Sequence, residues 1–202
     1  MQTLLLSLAA ALTLSTAGST ARPLNPIVSS TATVDPAAST VTWKGYKVTG
    51  AHEGTIAVKS GQLQFSDAGQ LQGGSFVIDM GSLAVTDLTG EYADKLRGHL
   101  VSGDFFGTDE YPEARYTITK VTPGKVGQYR VDGQLTIKDK THAESFDANV
   151  YRVDGAYVAT AQLKIDRSKY DVRYGSGSFF DDLGDKAIYD EFDLDIELVT
   201  SK

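Results

Sequence analysis

Apolar side chains recur at every second position along most of this chain. Val41 and Trp43 alternate with Thr42 and Lys44, and Ile56 and Val58 alternate with Thr55, Ala57 and Lys59. Leu63 and Phe65 follow, after a turn predicted at Ser60-Gly61, and Phe76, Ile78 and Met80 share one face of the next run. The same period continues through Tyr116 and Ile118, Tyr129 and Val131, Leu135 and Ile137, Phe146 to Val150, and Tyr157 to Ile165. In the last run Phe192, Leu194, Ile196 and Leu198 face one way, and Glu191, Asp193, Asp195 and Glu197 the other. Each run predicts a half-buried strand of an antiparallel sheet.

One stretch breaks the period. Tyr92, Leu96 and Leu100 are four apart, which stacks them on one face of a short amphipathic helix. Thr89 is the expected N-cap, Glu91 lies in the first turn, and Lys95 and Arg97 lie nearer the C-terminal end. The expected fold class is therefore all-β, with about eight strands and one helix between strands. Glycine turns at short spacing suit a sandwich or a closed barrel, and an eight-stranded barrel is wide enough for one thin ligand.

Composition narrows the function. The 202 residues suit one domain, 41% hydrophobic and 22% charged, with a net charge of −7. That charge disfavours nucleic acid as a partner and gives no attraction to anionic lipid. The absence of cysteine excludes disulfides, thiolate metal sites and cysteine nucleophiles. Residues 1–21 carry no charged side chain and hold an apolar stretch from Leu4 to Leu14, as in a secretory signal peptide. Cleavage after Ala17 or Ala21 would send the protein to the periplasm or the exterior. A Pro- and Ser-rich linker over 22–33 is expected next, then a single domain over 34–202 with no transmembrane segment.

Candidate chemistry is sparse. His52, His99 and His142 form no metal-binding helix motif, and Asp181, Asp182, Asp185 and Asp190 lack the spacing of a calcium loop. Arg167, Lys169 and Arg173 surround Tyr170 and could hold a polar head group, though surface charge is the ordinary reading. No metal, cofactor or catalytic set is therefore expected. Two pairs, Phe105–Phe106 and Phe179–Phe180, stand in polar, turn-forming sequence just after Ser-Gly-x. Such pairs either cap a barrel or line the mouth of an apolar cavity.

The motifs, taken in order, resemble the YceI-like family of secreted lipid- and polyisoprenoid-binding proteins. They are Trp43-Lys44-Gly45, Gly50-Ala51-His52-Glu53-Gly54, Gly73-Gly74-Ser75-Phe76, Ile78-Asp79-Met80 and Val85-Thr86-Asp87-Leu88. They continue in His99-Leu100, Ser102 to Phe106, Tyr111-Pro112, Gly133 to Lys138 and Asp166-Arg167, so the resemblance runs from about Val34 to Val199. The stretch from Asp166 to Lys186 is longer than in better-known members, and Asp139 replaces a frequent Gly.

The resemblance implies an extended, lipocalin-like antiparallel barrel around an apolar tunnel. It also implies an isoprenoid or other lipid-like ligand, such as an isoprenoid quinone, with no covalent chemistry. On that view Trp43, Phe65, Phe76, Ile78, Phe105, Phe106, Ile118, Leu135, Phe146, Leu163, Phe179 and Phe180 form the wall, and Leu96 and Leu100 cover one side. Phe105→Asp is then expected to weaken ligand uptake while leaving yield near normal. Two rivals remain open: a hydrolase or isomerase using Asp166, His52 or His99, and a packed β-sandwich binding another protein through acidic loops. A homodimer is compatible with all three.

Overall fold

The structure, a computed structural model, describes residues 30–202. The segment read as a signal peptide, and most of the linker after it, lie outside the described residues. Nine strands and one helix follow: β1 (Ser30–Thr33), β2 (Thr40–Lys47), β3 (Gly50–Phe65), β4 (Leu71–Val85), α1 (Glu91–Val101), β5 (Glu113–Pro123), β6 (Gln128–Ile137), β7 (Lys140–Val153), β8 (Ala156–Asp166) and β9 (Ile188–Val199). The strand order β3-β2-β9-β8-β7-β6-β5-β4 closes on itself, because β3 also pairs with β4, and every pairing is antiparallel. This is an eight-stranded barrel, so the sandwich alternative does not hold. Closure leaves the alternating apolar faces one place to go, the interior.

Three sequence expectations are corrected. Ser30–Thr33, read as the end of a linker, is β1, and it pairs with Gln62–Phe65 beyond the point where β2 leaves β3. The domain therefore starts before Val34.

Ser60-Gly61 is not a turn. The register of β3 on β4 steps from Val58↔Ile78 to Ser60↔Val77, which makes Lys59 the extra residue of a bulge inside one 16-residue strand. A bulge shifts the alternation by one position while the strand continues, and the added bend helps the sheet to close.

The third correction concerns α1. Its N-cap is Gly90, at φ 58°, rather than Thr89. Tyr92 points to solvent, while Leu96 and Leu100 pack at the barrel end with Leu83 and Phe105. Arg97 fastens the helix by donating to the carbonyls of Leu83 and Gly81, each at 2.9 Å.

One glycine shows how tightly the wall closes. A Cβ on Gly54 would lie 1.8 Å from the Ala84 carbonyl oxygen and 2.6 Å from the Trp43 ring. The Trp43 indole instead crosses this position and donates to the carbonyls of Thr55 (3.3 Å) and Ala84 (3.2 Å). Only glycine allows that approach.

Candidate functional site: an apolar cavity in the barrel

The barrel is not filled. Inward residues of β2 to β9 enclose a cavity of about 210 Å³. Its wall includes Phe76, Ile78 and Met80 from β4, Leu135 and Ile137 from β6, Phe146 and Val150 from β7, and Leu194 and Ile196 from β9. These are the positions the period of two assigns to one face. At one end Leu100 of α1 and the Phe105–Phe106 turn close over the barrel. At the other, Phe65 stacks on Tyr157 with ring centroids 3.8 Å apart.

Protein interiors are normally packed to crystal density, and at about 24 cal/mol per Å³ a void of this size forgoes roughly 5 kcal/mol. Water does not fill it usefully, because a buried water needs two to four polar partners. An apolar cavity of about 150 Å³ already stays dry and takes up benzene. This one is larger and as poor in polar groups.

Ten of the fourteen residues expected at the site line the cavity: Trp43, Phe76, Ile78, Leu100, Phe105, Phe106, Ile118, Leu135, Phe146 and Leu163. Four do not. Phe65 is buried in the core beyond the far wall, and Leu96 sits behind Leu100 in the packing of α1. Phe179 and Phe180, expected to line or gate the tunnel, are outside it and 41% and 50% exposed. Their turn is built from Ser176, whose carbonyl accepts from both Phe179 N (3.2 Å) and Phe180 N (3.1 Å).

Phe105 carries a further correction. It is only 5% exposed, so it is core as well as wall, and its burial predicts a lowered rather than a normal yield for Phe105→Asp.

Arg167, surface charge on the ordinary reading of the sequence, is 2% exposed and is, among the described residues, the one charged side chain lining the cavity. It donates to the carbonyls of Val172 (2.7 Å), Ile188 (3.0 Å) and Tyr189 (3.1 Å), so it ties the 171–187 loop to the barrel. Burial pulls its guanidinium below the ordinary value, against the opposing pull of Asp190 and Asp166. The Asp190 carboxylate stands 3.6 Å away, and the Phe105 ring lies beneath the guanidinium with 5.2 Å from carbon to ring centroid. Lys138 adds a second tie, donating to the carbonyls of Phe105 and Asp171, each at 3.1 Å. No spacing rule finds such residues, because their partners are backbone carbonyls distant in sequence. The pair Asp166-Arg167 among the quoted motifs was the one available signal.

The residues considered for catalysis do not meet. His52 shares a 2.8 Å hydrogen bond with Asp87, and Asp166 accepts from Ser168 N (2.9 Å) and Oγ (2.6 Å) in a turn. His99 packs edge-on against Phe105 and Tyr174. None of the three lines the cavity. Among the described residues no three His, Cys, Asp or Glu side chains are grouped to hold a metal ion.

Comparison with known proteins agrees with this geometry. The family model described as the YceI-like domain matches residues 33–200. A UPF0312 protein of Staphylococcus aureus (strain bovine RF122 / ET3-1) is 38% identical over 88 residues, which cover 40% of this chain and 48% of that protein. The chain thus spans about half the length of the curated relatives it matches. Among solved structures, Burkholderia cenocepacia BcnA superposes with a TM-score of 0.67 at 24% identity, covering 83% of this chain and 99% of that one. A polyisoprenoid binding domain from Saccharophagus degradans, implicated in plant cell wall breakdown, has a TM-score of 0.61 at 18% identity, covering 84% and 97%. At these identities the two structures speak for the fold.

Proposed function

This chain belongs to the YceI-like domain family, and from that premise we propose that it is an exported carrier holding an isoprenoid chain in its barrel. The observation that carries the reading is a cavity whose wall is hydrocarbon apart from Arg167, Thr160 and the tyrosine hydroxyls and indole at its edges. A prenyl chain is insoluble, and its transfer into such a cavity gains about 25 cal/mol for each Å² withdrawn from water. It asks for few polar contacts, and the cavity offers few. The Saccharophagus degradans neighbour, described as polyisoprenoid-binding, supports this ligand class. Export is supported by the apolar, uncharged segment from Leu4 to Leu14. The reading is of binding and delivery, with no bond made or broken.

Native mass spectrometry of the secreted protein, followed by organic extraction, tests it. A discrete adduct released as a prenyl lipid, an alcohol or a quinone, is the expected result. A bare mass that stays unchanged after incubation with solanesol and decylubiquinone overturns it.

A further inference from the structure

Nine large apolar or aromatic side chains are exposed among the described residues, and five of them collect at one end of the barrel. Val48 lies at the tip of the β2–β3 hairpin, Tyr174, Phe179 and Phe180 in the 171–187 loop, and Tyr189 at the start of β9. Backbone and side-chain hydrogen bonds hold them together. Val48 N donates to the Ala187 carbonyl (3.2 Å), Ile188 N to the Gly175 carbonyl (2.8 Å), and Ser178 Oγ to the Asp190 carboxylate (2.6 Å). The position of this patch is informative. Among the described residues lining the cavity, Tyr189 alone is also exposed, at 55%, so the cavity wall reaches the patch at this residue.

We propose that this aromatic lip docks on the surface of a lipid bilayer with zwitterionic headgroups, placing this end of the cavity against the membrane. Tyrosine and phenylalanine suit a boundary that is apolar on one side and wet on the other. Charge selects the type of bilayer. The 171–187 loop carries Asp171, Asp181, Asp182 and Asp185 against Arg173 and Lys186, and Arg173 is already engaged with Asp171 at 2.5 Å. An acidic rim is repelled by anionic lipid and tolerated by a neutral surface. Position selects a bilayer over a protein. A partner on this face sits against the cavity wall at Tyr189, and a bilayer is the partner that is itself a reservoir of apolar molecules for such a cavity. The inference takes its purpose from the carrier reading, but its readout is independent of any cargo.

The test is flotation of the protein with vesicles of phosphatidylcholine alone, and of phosphatidylcholine mixed with phosphatidylglycerol. Three forms are compared: the natural sequence, the double variant Phe179→Ser with Phe180→Ser, and a control with Tyr151→Ser and Val153→Ser at the opposite end. The natural sequence and the control should bind phosphatidylcholine, and the double variant should bind about tenfold more weakly or worse, a difference of one decade in affinity. Added phosphatidylglycerol should reduce binding. Uptake of N-phenyl-1-naphthylamine in solution, measured separately, should be the same in all three. Loss of dye uptake in the natural sequence would count against the carrier reading, and flotation would still report on the lip. Three results overturn the proposal: no flotation of the natural sequence, equal flotation of the double variant, or preference for phosphatidylglycerol. So does a dimer of the natural sequence, in place of flotation, that the same two substitutions abolish.

Discussion

Ser102-Gly103-Asp104-Phe105-Phe106 and Ser176-Gly177-Ser178-Phe179-Phe180 share a local pattern, and the fold treats them oppositely. The first pair follows directly on α1. Phe106 N donates to the Leu100 carbonyl (3.1 Å) and Gly107 N to the Ser102 carbonyl (2.7 Å), so the turn is folded back onto the barrel end. Arg167 covers Phe105, Lys138 holds its carbonyl, and the two rings meet edge-to-face at 5.0 Å. The second pair stands in the long loop before β9, with Asp181 and Asp182 next in sequence and the Arg173 guanidinium against the Phe179 ring, 4.9 Å away. Local sequence sets the turn. What the turn faces is set by the element before it and by which cations arrive from elsewhere.

The sharpest way to break this comparison is to place a charge in each pair. Phe105→Asp buries a carboxylate in an apolar wall, beside an Arg167 already engaged with three carbonyls and Asp190, and should leave almost no folded protein, whereas Phe180→Asp should accumulate normally. Soluble yield and circular dichroism decide it, and equal behaviour of the two variants would erase the distinction.

Removing the cover should come next. Arg167→Met strands three carbonyls and the Asp190 carboxylate, at a cost of about 3–5 kcal/mol in urea unfolding. Truncation gives a cleaner contrast. Phe105→Ala should cost about 3–5 kcal/mol, and Phe179→Ala no more than about 0.5 kcal/mol, in the same assay.

The smallest effect concerns pH. Tyr170 packs in the same core cluster as Phe106, and Tyr116 lines the cavity. Burial, reinforced by the Glu144 carboxylate at Tyr170 and by Asp132 and then Glu144 at Tyr116, pushes both phenols well above the ordinary tyrosine value. Their folded forms keep the proton where the unfolded chain releases it. This contribution to stability is therefore complete below about pH 10 and is lost as pH rises beyond it. Urea midpoints should fall across that range, and Tyr170→Phe should flatten the decline.

The period of two was enough to predict an all-β fold, the helix and most of the wall, because a closed barrel turns every apolar strand face inward. It missed the bulge at Lys59, since a one-residue insertion and a turn interrupt the alternation alike. It misjudged the face of α1 as well: Tyr92 has the right spacing, but it stands in the first turn of the helix, where the ring stays in water while Leu96 and Leu100 pack. The loop residues were the least legible.

Sequence by itself determined which side chains are apolar, how they alternate, and therefore that a barrel wall of this chemistry would form. Tertiary structure alone decided that the wall stays apart around an open cavity, that Arg167 is buried, and that one Phe pair is core while the other faces solvent. The reason is that alternation is a property of neighbours along a strand. Burial at the end of a barrel depends on contacts among residues far apart in the chain, such as Lys138 with Phe105 and Arg167 with Ile188.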